Sequence, residues 1–190
     1  MRNNAFVAVL LCGLSGWGWA ADRPQTSRRK LEQITEIQGY SCTKSYAWFY
    51  ADGRLERCFV SKDTKFGEVQ VPSGSIIVLR PDGKPEYAML EHDSWLLGYH
   101  CRGGGPLGPA EGAMTTFYPS GRLKLCWLVA YQEIQGVPCA SSGGFFFDMF
   151  HHGGWGTRFY GNGKLHKCYL AHDFESLKKG QEIVRPPDVH

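Results

Sequence analysis

"FYADGRLERC" spans residues 49–58, "FYPSGRLKLC" 117–126 and "FYGNGKLHKC" 159–168. One ten-residue pattern therefore recurs three times and ends in cysteine each time. Asp52-Gly53, Ser120-Gly121 and Asn162-Gly163 are turn dipeptides that accept positive φ. Strand formers flank the first turn: Trp48, Phe49 and Tyr50 before it, Leu55, Phe59 and Val60 after it. Each copy predicts a β-hairpin. Strict alternation past the turn puts Leu123, Leu125 and Trp127 on one face, with Lys124, Cys126 and Leu128 on the other. By the same rule Leu165 and Tyr169 share a face, opposite Cys168 and Leu170.

Working outward, each hairpin has a lead-in with a glycine three residues before a cysteine. These are "LEQITEIQGYSC" at 31–42, "MLEHDSWLLGYHC" at 89–101 and "WLVAYQEIQGVPC" at 127–139. Residues 60–90 form a further unit. It keeps the lead-in and the Asp82-Gly83 turn but has no cysteine. Another unit starts at "LAHDFESLKKGQEI" and breaks off before a hairpin. End units of a repeat array are often atypical because they cap an open face. The expected fold is all-β: tandem antiparallel β-hairpins in an elongated or curved repeat sheet. Little or no helix is expected, at most one turn in 172–180.

The start of the chain has Arg2, an apolar run over 5–14, and the small pair Gly18 and Ala20 before Ala21. That is the layout of a secretory signal peptide cut after Ala20. The apolar run is too short to span a bilayer, which takes about 20 residues. The expected organisation is therefore a signal peptide at 1–20 and a flexible N-terminal arm at 21–30, whose "SRRK" is solvated. One repeat domain of about four units follows at 31–178, then a C-terminal tail at 179–190. No integral membrane segment is expected after cleavage. Losing Arg2 lowers the formal charge of +3 by one. A balance so close to neutral argues against a nucleic-acid partner.

Six cysteines remain beyond the signal peptide: Cys42, Cys58, Cys101, Cys126, Cys139 and Cys168. An even count in an exported chain reads as disulfides. Each complete unit holds two, and the unit that lost one lost both. Paired loss predicts bridges within units: Cys42–Cys58, Cys101–Cys126 and Cys139–Cys168. Zinc sites space cysteines two to four residues apart, and no such spacing occurs. No metal and no cofactor are expected.

"GGWGTRFYGNGKLH" and "GAMTTFYPSGRLK" resemble the β-hairpin repeats of the MORN type, and more closely the bacterial YwqK-like variant. The resemblance covers about 31–173. Irregular unit spacing, an inconsistent tryptophan and the added cysteines depart from it. Members serve as membrane-linked scaffolds, docking proteins and antitoxins, so the resemblance implies a fold and a binding habit.

Chemistry-bearing patterns are sparse. No Gly-x-Ser-x-Gly elbow is present, and "CRGGGPLGP" at 101–109 lacks the ending of a phosphate loop. Asp148, His151 and His152 form the best histidine cluster, yet adjacent strand residues face opposite ways. His92 and His172 recur at one repeat position before Asp93 and Asp173, which points to a structural job. No catalytic residue is expected. Inserts at 102–115 and 140–157 break the period at corresponding places. The second carries Phe145, Phe146, Phe147, Phe150 and Trp155, the expected binding residues. The expected function is that of an exported periplasmic or extracellular, non-enzymatic module that binds another protein or a cell-envelope component. The alternatives are an enzyme acting on envelope polymer and an inhibitor or immunity protein.

Overall fold

A computed structural model describes residues 25–104, 114–142 and 156–187. The chain enters as β1 (Thr26–Lys30). Unit one has a short hairpin, β2 (Thr35–Ile37) and β3 (Tyr40–Cys42), then a long one, β4 (Tyr46–Tyr50) and β5 (Leu55–Phe59). Unit two repeats this with β6 (Thr64–Phe66), β7 (Val69–Val71), β8 (Ile76–Leu79) and β9 (Pro85–Met89). Unit three has β10 (Ser94–Leu96), β11 (Tyr99–Cys101), β12 (Thr115–Phe117) and β13 (Leu123–Cys126). Unit four has β14 (Gln132–Ile134), β15 (Val137–Cys139), β16 (Thr157–Phe159) and β17 (Leu165–Tyr169), and β18 (Glu182–Val184) follows. The described residues contain no helix. In 172–180, Phe174 and Leu177 instead exchange two backbone hydrogen bonds of 3.0 Å across a tight turn.

The long hairpins line up as one antiparallel sheet, in the order β1-β4-β5-β8-β9-β12-β13-β16-β17-β18. The short hairpins form four separate two-stranded sheets. The core lies where these meet the large sheet, around Phe66, Phe117, Phe159 and Leu55, all at most 1% exposed. Phe66 and Phe117 pack edge to face at 5.3 Å. Three disulfides tie short hairpin to long hairpin inside a unit: Cys42–Cys58, Cys101–Cys126 and Cys139–Cys168.

The turns of the long hairpins share one geometry. Gly53 N–H donates to Tyr50 O at 2.9 Å, and Tyr50 N–H to Arg54 O at 2.8 Å. This is a three-residue loop with glycine in the left-handed region, φ +84° at Gly53. Asp52, its partner in the dipeptide, is not among the residues with positive φ. Its carboxylate instead accepts from Arg54 N–H at 3.0 Å. Asp82 and Asn162 do the same for Lys84 and Lys164.

Strict alternation fails just after each turn. Trp48 opposes Arg57, but Phe49 opposes Leu55, so Glu56 is an extra residue. The same bulge recurs at Glu86, Lys124 and His166. One extra residue flips the pleat. Leu123 therefore faces inward with Cys126 and Leu128, not with Leu125 and Trp127. Leu165 likewise joins Cys168 and Leu170 in the core, correcting its placement beside Tyr169.

Both ends of the array also differ from expectation. Residues 26–30 are an edge strand paired to β4 from Thr26↔Tyr50 to Lys30↔Tyr46, not a flexible arm, although all five residues are exposed to solvent as expected. Arg28 lies 4.3 Å over the Tyr46 ring and Arg29 4.7 Å over Phe49. The guanidinium groups themselves lie over the rings, a cation–π contact worth about 0.5–1 kcal/mol at an exposed site. At the other edge, residues 182–184 of the expected tail pair with β17 and bury Ile183 against Cys168. The repeat domain thus runs past residue 178. Arg28, Arg29 and Lys30 at one edge and Pro186-Pro187 after the other discourage further strand pairing.

Candidate functional site

The repeat assigns a structural job to each position, so a unit that departs from the pattern stands out. In unit one the Gln38 side chain accepts from Leu55 N–H at 3.3 Å. In unit four Gln135 accepts from Leu165 N–H at 3.0 Å, and its Nε2 donates to Gly163 O at 3.2 Å. Unit two has Pro85 at the corresponding hairpin place, which has no N–H to bind. Unit three has Leu123, but Leu97 replaces the glutamine. Leu97 has no acceptor to offer. It sits in the left-handed region, φ +52°, and is 52% exposed. A leucine there costs about 1–2 kcal/mol.

The same short hairpin carries a second departure. Glu36, Lys65 and Glu133 occupy the middle of the first short strand in units one, two and four. Unit three has Trp95 there, 65% exposed. Trp95 stacks on its cross-strand partner His100, with centroids 4.7 Å apart and planes at 5°. Tyr131, half exposed, stands where units two and three and the terminal unit have Asp63, Asp93 and Asp173, and where unit one has the exposed Ile34.

Those three aspartates are structural. Their carboxylates accept from the backbone N–H groups of Ser73, Gly103 and Lys179 at 2.8–3.0 Å. They close the loop that follows each short hairpin. His92 and His172 are exposed beside them.

Beside Leu97 lies an open cleft of about 250 Å³. Leu97, Tyr99, Leu123 and Phe159 supply its apolar lining. The Tyr99 and Phe159 rings are 4.5 Å apart. Burial raises the Tyr99 hydroxyl above the usual phenol range, and a hydrogen bond with Gln135 pulls the other way. Polar groups complete the lining: Glu68, Arg122 and Asn162. Arg122 Nε donates to Glu68 Oε1 at 3.1 Å, and its Nη1 to Gly161 O at 3.0 Å. The cleft thus gathers residues from units two, three and four.

The approach of unit two to unit three is unusually close. Glu68 N–H donates to Gly121 O at 3.0 Å. A Cβ on Gly67 would lie 2.4 Å from that same oxygen. Two glycines are needed for the backbones to meet, and their contact holds Glu68 beside Arg122.

The outer face of the large sheet is less available. Trp48, Arg57, Val78, Tyr87, Thr116 and Leu125 follow one another across the strands. Arg57 lies 4.2 Å over Trp48, and each of these side chains is half-buried or buried among its neighbours.

Phe145, Phe146, Phe147, Phe150, Trp155, Asp148, His151 and His152 lie outside the described residues, as does the expected signal peptide. Thr115 and Thr157, the last residues of the two inserts, are buried. Among the described residues neither hydroxyl has a hydrogen-bond partner. Among the described residues, no three of His, Cys, Asp and Glu come together where they could hold a metal ion. No family model, curated protein or solved structure matches the chain.

Sequence reasoning missed Leu97, Trp95 and the cleft. The first two had a signal, since aligning the short-hairpin segments sets Leu97 against two glutamines. The cleft had none, because its lining comes from turns far apart in the chain.

Proposed function

We propose that the chain is an exported, non-enzymatic binding module whose partner is another protein or a component of the cell envelope. One observation carries this reading. Leu97 occupies an exposed left-handed turn position, shared in conformation with Gln38 and Gln135, at which those two sibling units place a hydrogen-bonding glutamine. The leucine forgoes the glutamine's hydrogen bond and leaves an apolar side chain in solvent. Trp95, exposed two residues away, strengthens the same hairpin as the contact surface.

Three disulfides belong to an oxidising, extracytoplasmic compartment. Export as such rests on the layout of residues 1–20. The MORN-like resemblance belongs to the same proposal and is supported by the aromatic-x-x-Gly hairpins.

The test is affinity capture from envelope extract with three baits: the mature chain, Leu97→Gln and Trp95→Ala. Both variants should fold, and both should capture at least about tenfold less of whatever the parent enriches. Equal capture by all three would remove this hairpin as the binding surface.

A further inference from the structure

We propose that the cleft beside Leu97 binds one uncharged pyranose ring of a glycan chain. This deepens the binding-module reading and rests on it.

The cleft combines two demands. Leu97, exposed, and Tyr99, half-buried with the buried Phe159 ring packed behind it, form the accessible apolar lining, on which the CH face of a sugar ring can lie. Around it stand groups with hydrogen-bonding capacity to spare. Arg122 uses Nε and Nη1 within the protein, which leaves Nη2 as a donor. Glu68 uses Oε1, which leaves Oε2 as an acceptor. Asn162 uses Oδ1 on Lys164 N–H, which leaves its amide NH2.

An occupant must therefore bury an apolar face and also satisfy both donors and acceptors at its rim. A purely apolar side chain would strip water from these groups without replacing it. Hydroxyls donate and accept at once, and a pyranose carries them around an apolar ring. Charge narrows the choice further. Arg122 and Glu68 cancel each other at 3.1 Å, so the cleft has no net charge to attract an ionic ligand. Size points the same way. About 250 Å³ falls below the ~300 Å³ at which ordinary small-molecule sites begin. One ring fits, and the open mouth lets a chain continue beyond it.

Leu97 then has a role that the repeat position lacks elsewhere. It extends the apolar lining on the side where a glutamine would fold back onto the Leu123 backbone.

The test is a titration of the isotope-labelled, disulfide-bonded mature chain, followed by amide NMR. The probes are methyl β-glucoside, the tetramer of N-acetylglucosamine, and glucuronate as a charged control. One of the uncharged sugars should shift the amides of Leu97, Tyr99, Arg122 and Gly163. Glucuronate should bind at least about tenfold more weakly. Glu68→Gln keeps the shape of the side chain and should weaken sugar binding about tenfold. Leu97→Gln should do so in a chain that still melts cooperatively. Glu36→Gln, exposed in unit one and outside the cleft lining, should leave it unchanged.

No shift at these amides with either uncharged sugar at tens of millimolar would overturn the proposal, and so would equal binding of glucuronate. If the sugars fail while capture from envelope extract still depends on Leu97, the cleft takes a protein segment and the binding-module reading stands. If capture is also indifferent to Leu97, that reading falls as well.

Discussion

Val71 and Ala88 occupy, in unit two, the two places that cysteines hold in the other three units. Val71 pairs with Thr64 as Cys42 pairs with Thr35 and Cys101 with Ser94. Ala88 pairs with Thr115, in the first strand of the next unit's long hairpin, as Cys126 pairs with Thr157. Both are fully buried. The cysteine-free unit fills the space of a disulfide with two small apolar side chains.

Replacing both, Val71→Cys with Ala88→Cys, should therefore form a fourth bridge without disturbing the fold. It closes a loop of about 17 residues, which the chain-entropy model values at roughly 3 kcal/mol. Non-reducing peptide mapping should find the new link, and the oxidised variant should melt several degrees above the parent. Two free thiols would show that the positions are not equivalent.

A second regularity binds each unit to the next. The Tyr50 hydroxyl donates to Leu79 O at 2.6 Å, Tyr118 to Phe159 O at 2.9 Å, and Tyr160 to Arg185 O at 2.8 Å. In unit two Arg80 takes this place and reaches Phe117 O at 3.3 Å. Tyr50→Phe and Tyr118→Phe should each cost about 1 kcal/mol, the more buried Tyr50 the more. Denaturant titration measures it. An unchanged midpoint in both would mean that water replaces these bonds freely.

Leu97→Gln should raise stability by about 0.5–1.5 kcal/mol, because a glutamine there can accept from Leu123 N–H as its counterparts accept from Leu55 and Leu165. A variant that gains stability and loses its ligand separates contact from packing. Loss of both would assign Leu97 to the core.

Gly121 and Gly163 have the same left-handed conformation, with φ of +87° and +84°. Their surroundings differ. A Cβ on Gly121 would meet Gly67 Cα at 2.7 Å, whereas one on Gly163 would meet nothing within 4 Å. Gly163→Ala should cost about 1–2 kcal/mol, the conformational penalty alone. Gly121→Ala should cost at least about 1 kcal/mol more, and its damage should reach the Glu68–Arg122 pair. Equal costs would show that unit two yields easily at this contact.

Acid should weaken the turns. A side-chain hydrogen bond and a backbone one from Arg54 hold the Asp52 carboxyl below its usual value. The backbone N–H and then the ammonium of Lys84 do so for Asp82, and Lys178 and then Lys179 for Asp173. A carboxyl lowered in the fold contributes stability that is complete above its unfolded pKa and lost as pH falls through the folded one. The loss therefore belongs below about pH 4. Denaturant midpoints should be flat from neutral to about pH 5 and fall at about pH 3. Asp52→Asn should shrink that fall. All three carboxylates are exposed, so each effect is small.

Much of this molecule is legible in the chain itself. Gly53, Gly121 and Gly163 announce their turns because turn chemistry acts within a few residues. The cysteine pairing is legible because a bridge needs both partners, so a unit loses two or none. Both signals are local or covalent. The bulges at Glu56, Lys124 and His166 are different, since an extra residue exists only relative to a partner strand. Arg28 and Arg29 read as a flexible arm because a run of exposed cations does not announce the edge strand that sets their guanidinium groups over Tyr46 and Phe49. The Tyr118 bond lands on a backbone carbonyl, which every residue has. Leu97 meets Arg122 and Asn162 only because the large sheet stacks their turns side by side. Turn type and covalent pairing are thus properties of the chain, whereas face, edge and cleft follow from which strands lie next to each other.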